Sequence, residues 1–117
     1  MVHQLEQERL GHSPDDQKRL IPRRVTIETV FGCNARCPMC VIENPTERRK
    51  GVMPLETFKQ IVDTLVPYRD QFEMFDLFAL GEPLLDKHLF ERIRYVKSKD
   101  FRRLAFSTNA QLLGAEN

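Results

Sequence analysis

No stretch of this 117-residue chain comes near the roughly 20 consecutive apolar residues that span a bilayer. Its opening decapeptide, MVHQLEQERL, lacks the apolar core of a secretory signal. Neither sign of charge is in excess: 18 Lys and Arg stand against 17 Asp and Glu, a formal +1. That balance argues against a strongly basic nucleic-acid binder and against an acidic solvating tail. There is no internal repeat and no low-complexity tract. Cysteine is scarce and confined to Cys33, Cys37 and Cys40, an odd cluster too tight for a disulfide framework and well suited to a metal site. What is present, 41% apolar and 30% charged residues, describes a soluble globular domain. The expected location is the cytoplasm, with no membrane or nucleic-acid partner.

Residues 1–23 are polar and weakly patterned, with Leu5, Leu10 and Leu20 too sparse for a strong amphipathic helix; they read as a leader. The first convincing element is a strand at about 25–31, with Val25, Ile27, Thr29 and Phe31 on one face at period two. Glu28 lies within it, facing either an interior or the surface. Gly32 ends this strand, the cysteines follow in a loop, and the polar run through Glu47-Arg48-Arg49-Lys50 extends that loop as a solvated segment. From Leu55 to about Tyr68 the period becomes helical: Leu55, Phe58, Ile61, Val62, Leu65 and Val66 form a stripe, with Pro54 and Pro67 at its two ends. A buried strand is expected at about 74–80. A second helix follows at about 87–99, with Leu89, Phe90, Ile93 and Val96 inward, and a third strand at about 103–108. Alternating strands and helices predict right-handed βαβ units and a parallel sheet, so the fold class is α/β.

The unusual residues all follow strands. The cysteines come after the first, Gly81-Glu82-Pro83 after the second, and Ser107-Thr108-Asn109 at the end of the third. In a parallel α/β sheet or barrel these carboxyl ends share one edge, where sites form. The cysteine spacing is C-x3-C-x2-C, short enough for thiolates from one loop to converge on a metal centre; iron–sulfur clusters and zinc both use such ligands. A closed zinc site wants a fourth ligand, for which only a distant His88 or His12 offers itself. Read separately, each motif also has a plain structural meaning. The cysteines can be buried thiols, Gly81-Glu82-Pro83 a turn between strand and helix, and Ser107-Thr108-Asn109 a strand end and helix cap. His3, His12 and His88 are otherwise unpatterned.

Taken in order and register, Cys33-Asn34-Ala35-Arg36-Cys37-Pro38-Met39-Cys40, Leu80-Gly81-Glu82-Pro83-Leu84-Leu85 and Ser107-Thr108-Asn109 resemble the radical S-adenosylmethionine (radical SAM) superfamily over about residues 24–113. The wording is closest to members with a C-terminal SPASM or twitch domain, many of which modify peptides. The resemblance implies that Cys33, Cys37 and Cys40 ligate three irons of a 4Fe–4S cluster, the fourth iron being chelated by S-adenosyl-L-methionine. It implies that Gly81, Glu82 and Pro83 receive the methionine amino group, and that Thr108, with Ser107 or Asn109, faces the methionine carboxylate or ribose. Met39, where the family more often has an aromatic residue, is either an adenine contact or loop packing. The implied activity is reductive cleavage to a 5′-deoxyadenosyl radical that takes hydrogen from a substrate, a peptide or small molecule, with flavodoxin or ferredoxin as electron donor. The implied fold is the N-terminal part of a partial (βα)6 TIM-like barrel. Residues 24–117 would be a truncated core domain, with Leu112-Leu113-Gly114 opening the next helix; the later strands and any SPASM domain are lacking. The isolated chain is expected to bind a cluster and to turn over S-adenosylmethionine poorly. A non-catalytic iron–sulfur or zinc module is the alternative.

Overall fold

In the computed structural model the structure describes residues 22–43 and 49–114. The leader up to residue 21, His3, His12 and the loop residues 44–48 lie outside the described residues. The main sheet holds three short parallel strands in the order β1 (Arg24–Thr26), β4 (Met74–Asp76), β5 (Leu104–Ala105). Val25 lies opposite Phe75, and Phe75 opposite Leu104. Ile27 N donates to Asp76 O at 2.9 Å and Leu77 N to Ala105 O at 3.0 Å, so parallel pairing runs on to the carboxyl edge.

The expected first strand is not continuous. Its second half, β2 (Val30–Phe31), leaves the sheet and pairs antiparallel with β3 (Gly51–Val52). The alternating face survives the break, for Ile27, Thr29 and Phe31 are all buried, but Val30 is buried too. Burial on both faces does not by itself break a strand; the split follows from the partner that Val30 and Phe31 find in Gly51 and Val52. The resulting hairpin brackets the cysteine loop. The other two strands are likewise shorter than expected, because after Leu77 and Phe106 the chain runs out over the edge to Leu80 and Ser107, both exposed.

Helix α1 (Leu55–Leu65) buries Phe58 and Val62, each contributing about 1.5–3 kcal/mol by leaving water. It ends at Leu65, and Val66–Gln71 continues as a 3-10 helix, since Pro67 cannot donate the α-helical bond at that point. Helix α2 (Leu89–Ser98) turns Leu89, Arg92 and Val96 inward. Phe90, expected on that face, is 65% exposed; the i, i+3, i+7 stripe from Leu89 passes through Arg92 instead. A buried guanidinium requires partners. Arg92 Nε donates to Asp86 Oδ2 at 2.6 Å, Nη2 donates to the Met53 carbonyl, and the group sits 5.0 Å from the Phe58 ring. The apolar core around Phe58, Val62, Phe75, Leu77, Leu89 and Val96 thus carries one buried ion pair, Arg92 with Asp86, and the bond from Arg92 to the Met53 carbonyl ties α2 to the entry of α1. At the far end, where a fourth βα unit would begin, Gln111 and Leu112 form a turn and no helix follows among the described residues.

Candidate functional site

Gly32 releases the chain from β2 into the loop that carries all three cysteines. Cys33 and Cys40 are half-buried and Cys37 exposed, and all three are free thiols. Cys40 N donates to Cys37 O at 3.0 Å, closing the C-x2-C turn. The Cys33 sulfur accepts from Ala35 N at 3.4 Å and from Asn109 Nδ2 at 3.6 Å. Among the described residues no three His, Cys, Asp or Glu side chains converge as a metal-ligand group, so the thiols share a loop without forming a closed cage. The donor set nevertheless fits a thiolate-bound cluster. Three unpaired sulfurs sit on one short loop, and Asn34, Arg36, Cys37, Pro38 and Met39 are exposed, so little packing has to break for the sulfurs to swing together. Met39 is 85% exposed and packs on nothing that would reserve it for the core.

The second loop approaches the first at backbone level. A Cβ on Gly81 would lie 2.0 Å from the Val30 carbonyl oxygen, and Glu82 N donates to Gly32 O at 2.8 Å. Leu80 N, alongside, donates to Glu28 Oε1 at 3.0 Å, which places the Glu28 carboxylate at this edge. Pro83 opens a 3-10 turn through Leu85 and is buried.

The Glu82 side chain is 2% exposed and fully committed to the protein. Oε1 accepts from Thr108 Oγ1 at 2.5 Å and from Leu84 N at 3.0 Å, and Oε2 accepts from Asn109 N at 2.8 Å. Burial by itself pushes this carboxyl up. The hydrogen bonds from Thr108, Asn109 and Leu84 together outweigh it and hold Glu82 below its ordinary value. The third motif is anchored by the same contacts. Thr108 also accepts from Ala110 N at 3.0 Å, and Ser107 is exposed. Glu82, Thr108, Asn109 and Cys33 therefore meet at one edge of the parallel sheet. The sequence pattern did not expose three parts of this junction: the Gly32 carbonyl, the Glu28 carboxylate and Asn34, whose Oδ1 accepts from Asn109 Nδ2 at 2.9 Å. No spacing rule links residues so far apart.

The chain is thus an α/β domain whose parallel sheet carries a three-thiol loop, an acidic latch and a polar third loop on its carboxyl edge. The chain belongs to the radical SAM superfamily, whose sequence profile matches residues 27–117; members of that family use S-adenosylmethionine and a 4Fe–4S cluster. The fold is similar to the crystal structure of BtrN in complex with AdoMet and 2-DOIA, with a TM-score of 0.71 and 22% identity. That match covers 79% of this chain and 37% of BtrN, so the chain spans well under half of that protein. A search of curated proteins returns no match. Among the described residues no helix is long and apolar enough to cross a membrane.

Proposed function

We propose that this chain carries the cluster-binding part of a radical SAM enzyme, with Cys33, Cys37 and Cys40 as the three protein ligands of a 4Fe–4S cluster. The observation that carries this reading is the junction of three loops through Glu82 and Asn109, in a chain whose family uses that cofactor pair. Bound together, the cluster and S-adenosylmethionine supply a one-electron cleavage of the C5′–S bond, giving methionine and a 5′-deoxyadenosyl radical that abstracts hydrogen from substrate.

The protein's part is position and exclusion of water. Gly81, Glu82 and Pro83 are the candidates to receive the methionine amino group. The Gly81 carbonyl suits that role best, because the Glu82 carboxylate already serves three protein donors and the Glu82 and Pro83 carbonyls accept from Leu85 N and Asp86 N. Ser107 is the uncommitted hydroxyl of the third loop, beside Thr108 and Asn109, and faces the carboxylate or ribose. Met39 offers an exposed, polarizable surface to the adenine. We assign the remaining walls of the pocket, the choice of substrate (a peptide in a SPASM-type enzyme, otherwise a small molecule) and docking of a flavodoxin or ferredoxin to a longer chain in the cytoplasm. On this reading the 117 residues alone yield no multiple turnovers of 5′-deoxyadenosine.

Anaerobic reconstitution with iron and sulfide, followed by iron counting and EPR with and without S-adenosylmethionine, tests the proposal. About four irons per chain, a spectrum that changes on adding S-adenosylmethionine, and loss of the cluster in Cys37→Ala are expected. Full iron content in Cys37→Ala refutes the ligand set. A metal bound with no response to S-adenosylmethionine makes the protein a non-catalytic iron–sulfur or zinc module.

A further inference from the structure

Asn109 spends its side chain on the cysteine loop. Oδ1 accepts from Gln111 N at 3.0 Å, which fixes the rotamer and the sense of the amide. The Nδ2 end is thereby turned to the start of the loop, where it donates to Cys33 Sγ at 3.6 Å and to Asn34 Oδ1 at 2.9 Å. The backbone is held from the other side, since Asn109 N donates to Glu82 Oε2. Immediately afterwards Ala110 takes a left-handed φ of 62°, a conformation a residue with a Cβ adopts only at a cost. The chain is folded sharply back at the point where the Asn109 amide must reach the sulfur.

We propose that Asn109 is a positioning residue that ties Cys33 to the third strand and sets the reduction potential of the cluster through its N–H···S bond, with Glu82 holding Asn109 in place. The proposal rests on the reading of Cys33 as a cluster ligand. Reduction of a cluster adds one electron, and part of that charge resides on the ligating sulfurs. An N–H donor to a sulfur therefore stabilises the reduced form over the oxidised one and raises the potential. Of the three cysteine sulfurs, Cys33 has this cross-loop donor among the described residues, alongside the local Ala35 N–H.

The experiment compares the reconstituted full chain with Asn109→Ala and Asn109→Asp by EPR-monitored redox titration, with iron content and far-UV circular dichroism alongside. Asn109→Asp keeps the shape and the acceptor for Gln111 N but turns an acceptor, not a donor, towards sulfur. A net hydrogen bond at the weak end of its range predicts about a threefold fall in the ratio of reduced to oxidised cluster at the parent midpoint in Asn109→Ala. At 59 mV per tenfold for one electron this is a shift of about 30 mV to more negative potential, and Asn109→Asp should move further the same way. Loss of iron in both variants with the folded dichroism retained also supports the proposal, since Cys33 is then not held. An unchanged potential in both, or loss of iron only with loss of fold, overturns it. A parent chain that binds no cluster overturns the functional reading and this inference together; a parent cluster whose potential ignores Asn109 overturns this inference alone.

Discussion

Replacing Gly81 by Ala probes the contact on which the junction depends. An added Cβ would sit 2.0 Å from Val30 O, 2.8 Å from Val30 C and 3.1 Å from Gly32 O. All three are backbone atoms, so no side chain can swing aside. Carbon and oxygen at that separation are deep in repulsion, and the loops must part by 1 Å or more to bring the nearest contact from 2.0 Å to the 3.0 Å below which Cβ atoms essentially never sit. Such an opening stretches the 2.8 Å bond from Glu82 N to Gly32 O beyond hydrogen-bond range and drags the buried Glu82 carboxylate off its donors. Overpacking costs about 1–3 kcal/mol and a lost hydrogen bond about 1 kcal/mol. The expected destabilisation is about 2–4 kcal/mol, on the order of a 10–20 °C fall in Tm for a domain of this size. Gly32→Ala is the internal control: one residue before Cys33, its Cβ would meet nothing within 4 Å, and a change within about 0.5 kcal/mol is expected. Denaturant midpoints at constant m, and iron retained after anaerobic reconstitution, provide the two readouts. A Gly81→Ala protein as stable and as iron-replete as Gly32→Ala would refute the close approach of the two loops.

Two further outcomes follow from buried charge. Asp86→Ala strands the wholly buried Arg92 guanidinium and should cost about 3–5 kcal/mol in chemical denaturation, whereas Asp86→Ala combined with Arg92→Met should recover much of that loss; a single variant no less stable than the double one would show the pair to be dispensable. Glu82 lies below its ordinary value in the folded chain, so its contribution is complete above the unfolded carboxyl value and is lost as pH falls through the lower folded one. Unfolding free energy followed into acid should decline across that window, and Glu82→Gln should flatten the decline; an identical acid limb in the variant would show that the latch is not the titrating group.

The sequence pattern carries the order of elements and the helical stripes, because period and β-branching act over a few residues. Of the stripe, Phe58, Ile61, Val62, Leu65 and Val66 face the core, whereas Leu55 at the helix start is only half-buried. It fails where a local rule meets a distant partner. Phe90 is apolar yet exposed and Arg92 is charged yet buried, since the choice was made by Asp86 and the Met53 carbonyl. The first strand splits between two sheets for the same reason: pairing with Gly51–Val52 is decided beyond a long loop.

The candidate residues were legible as three motifs, but their division of labour was not. By residue type, Glu82 is an acceptor that invites a ligand amine, and Thr108 and Asn109 are donors that invite a carboxylate. In the folded chain these groups satisfy one another first, because a carboxylate 2% exposed without donors would cost several kcal/mol. On the proposed reading the polar side chains of the second and third motifs build the wall, leaving the Gly81 carbonyl, Ser107 and the exposed part of the thiol loop to meet a ligand. That arrangement suits a site whose bound group supplies the reactivity. The fixed network holds Cys33 and Asn34 at one end of the cysteine loop in register with the sheet edge, while the exposed stretch from Arg36 to Met39 is the part that, on the proposed reading, closes around a cluster.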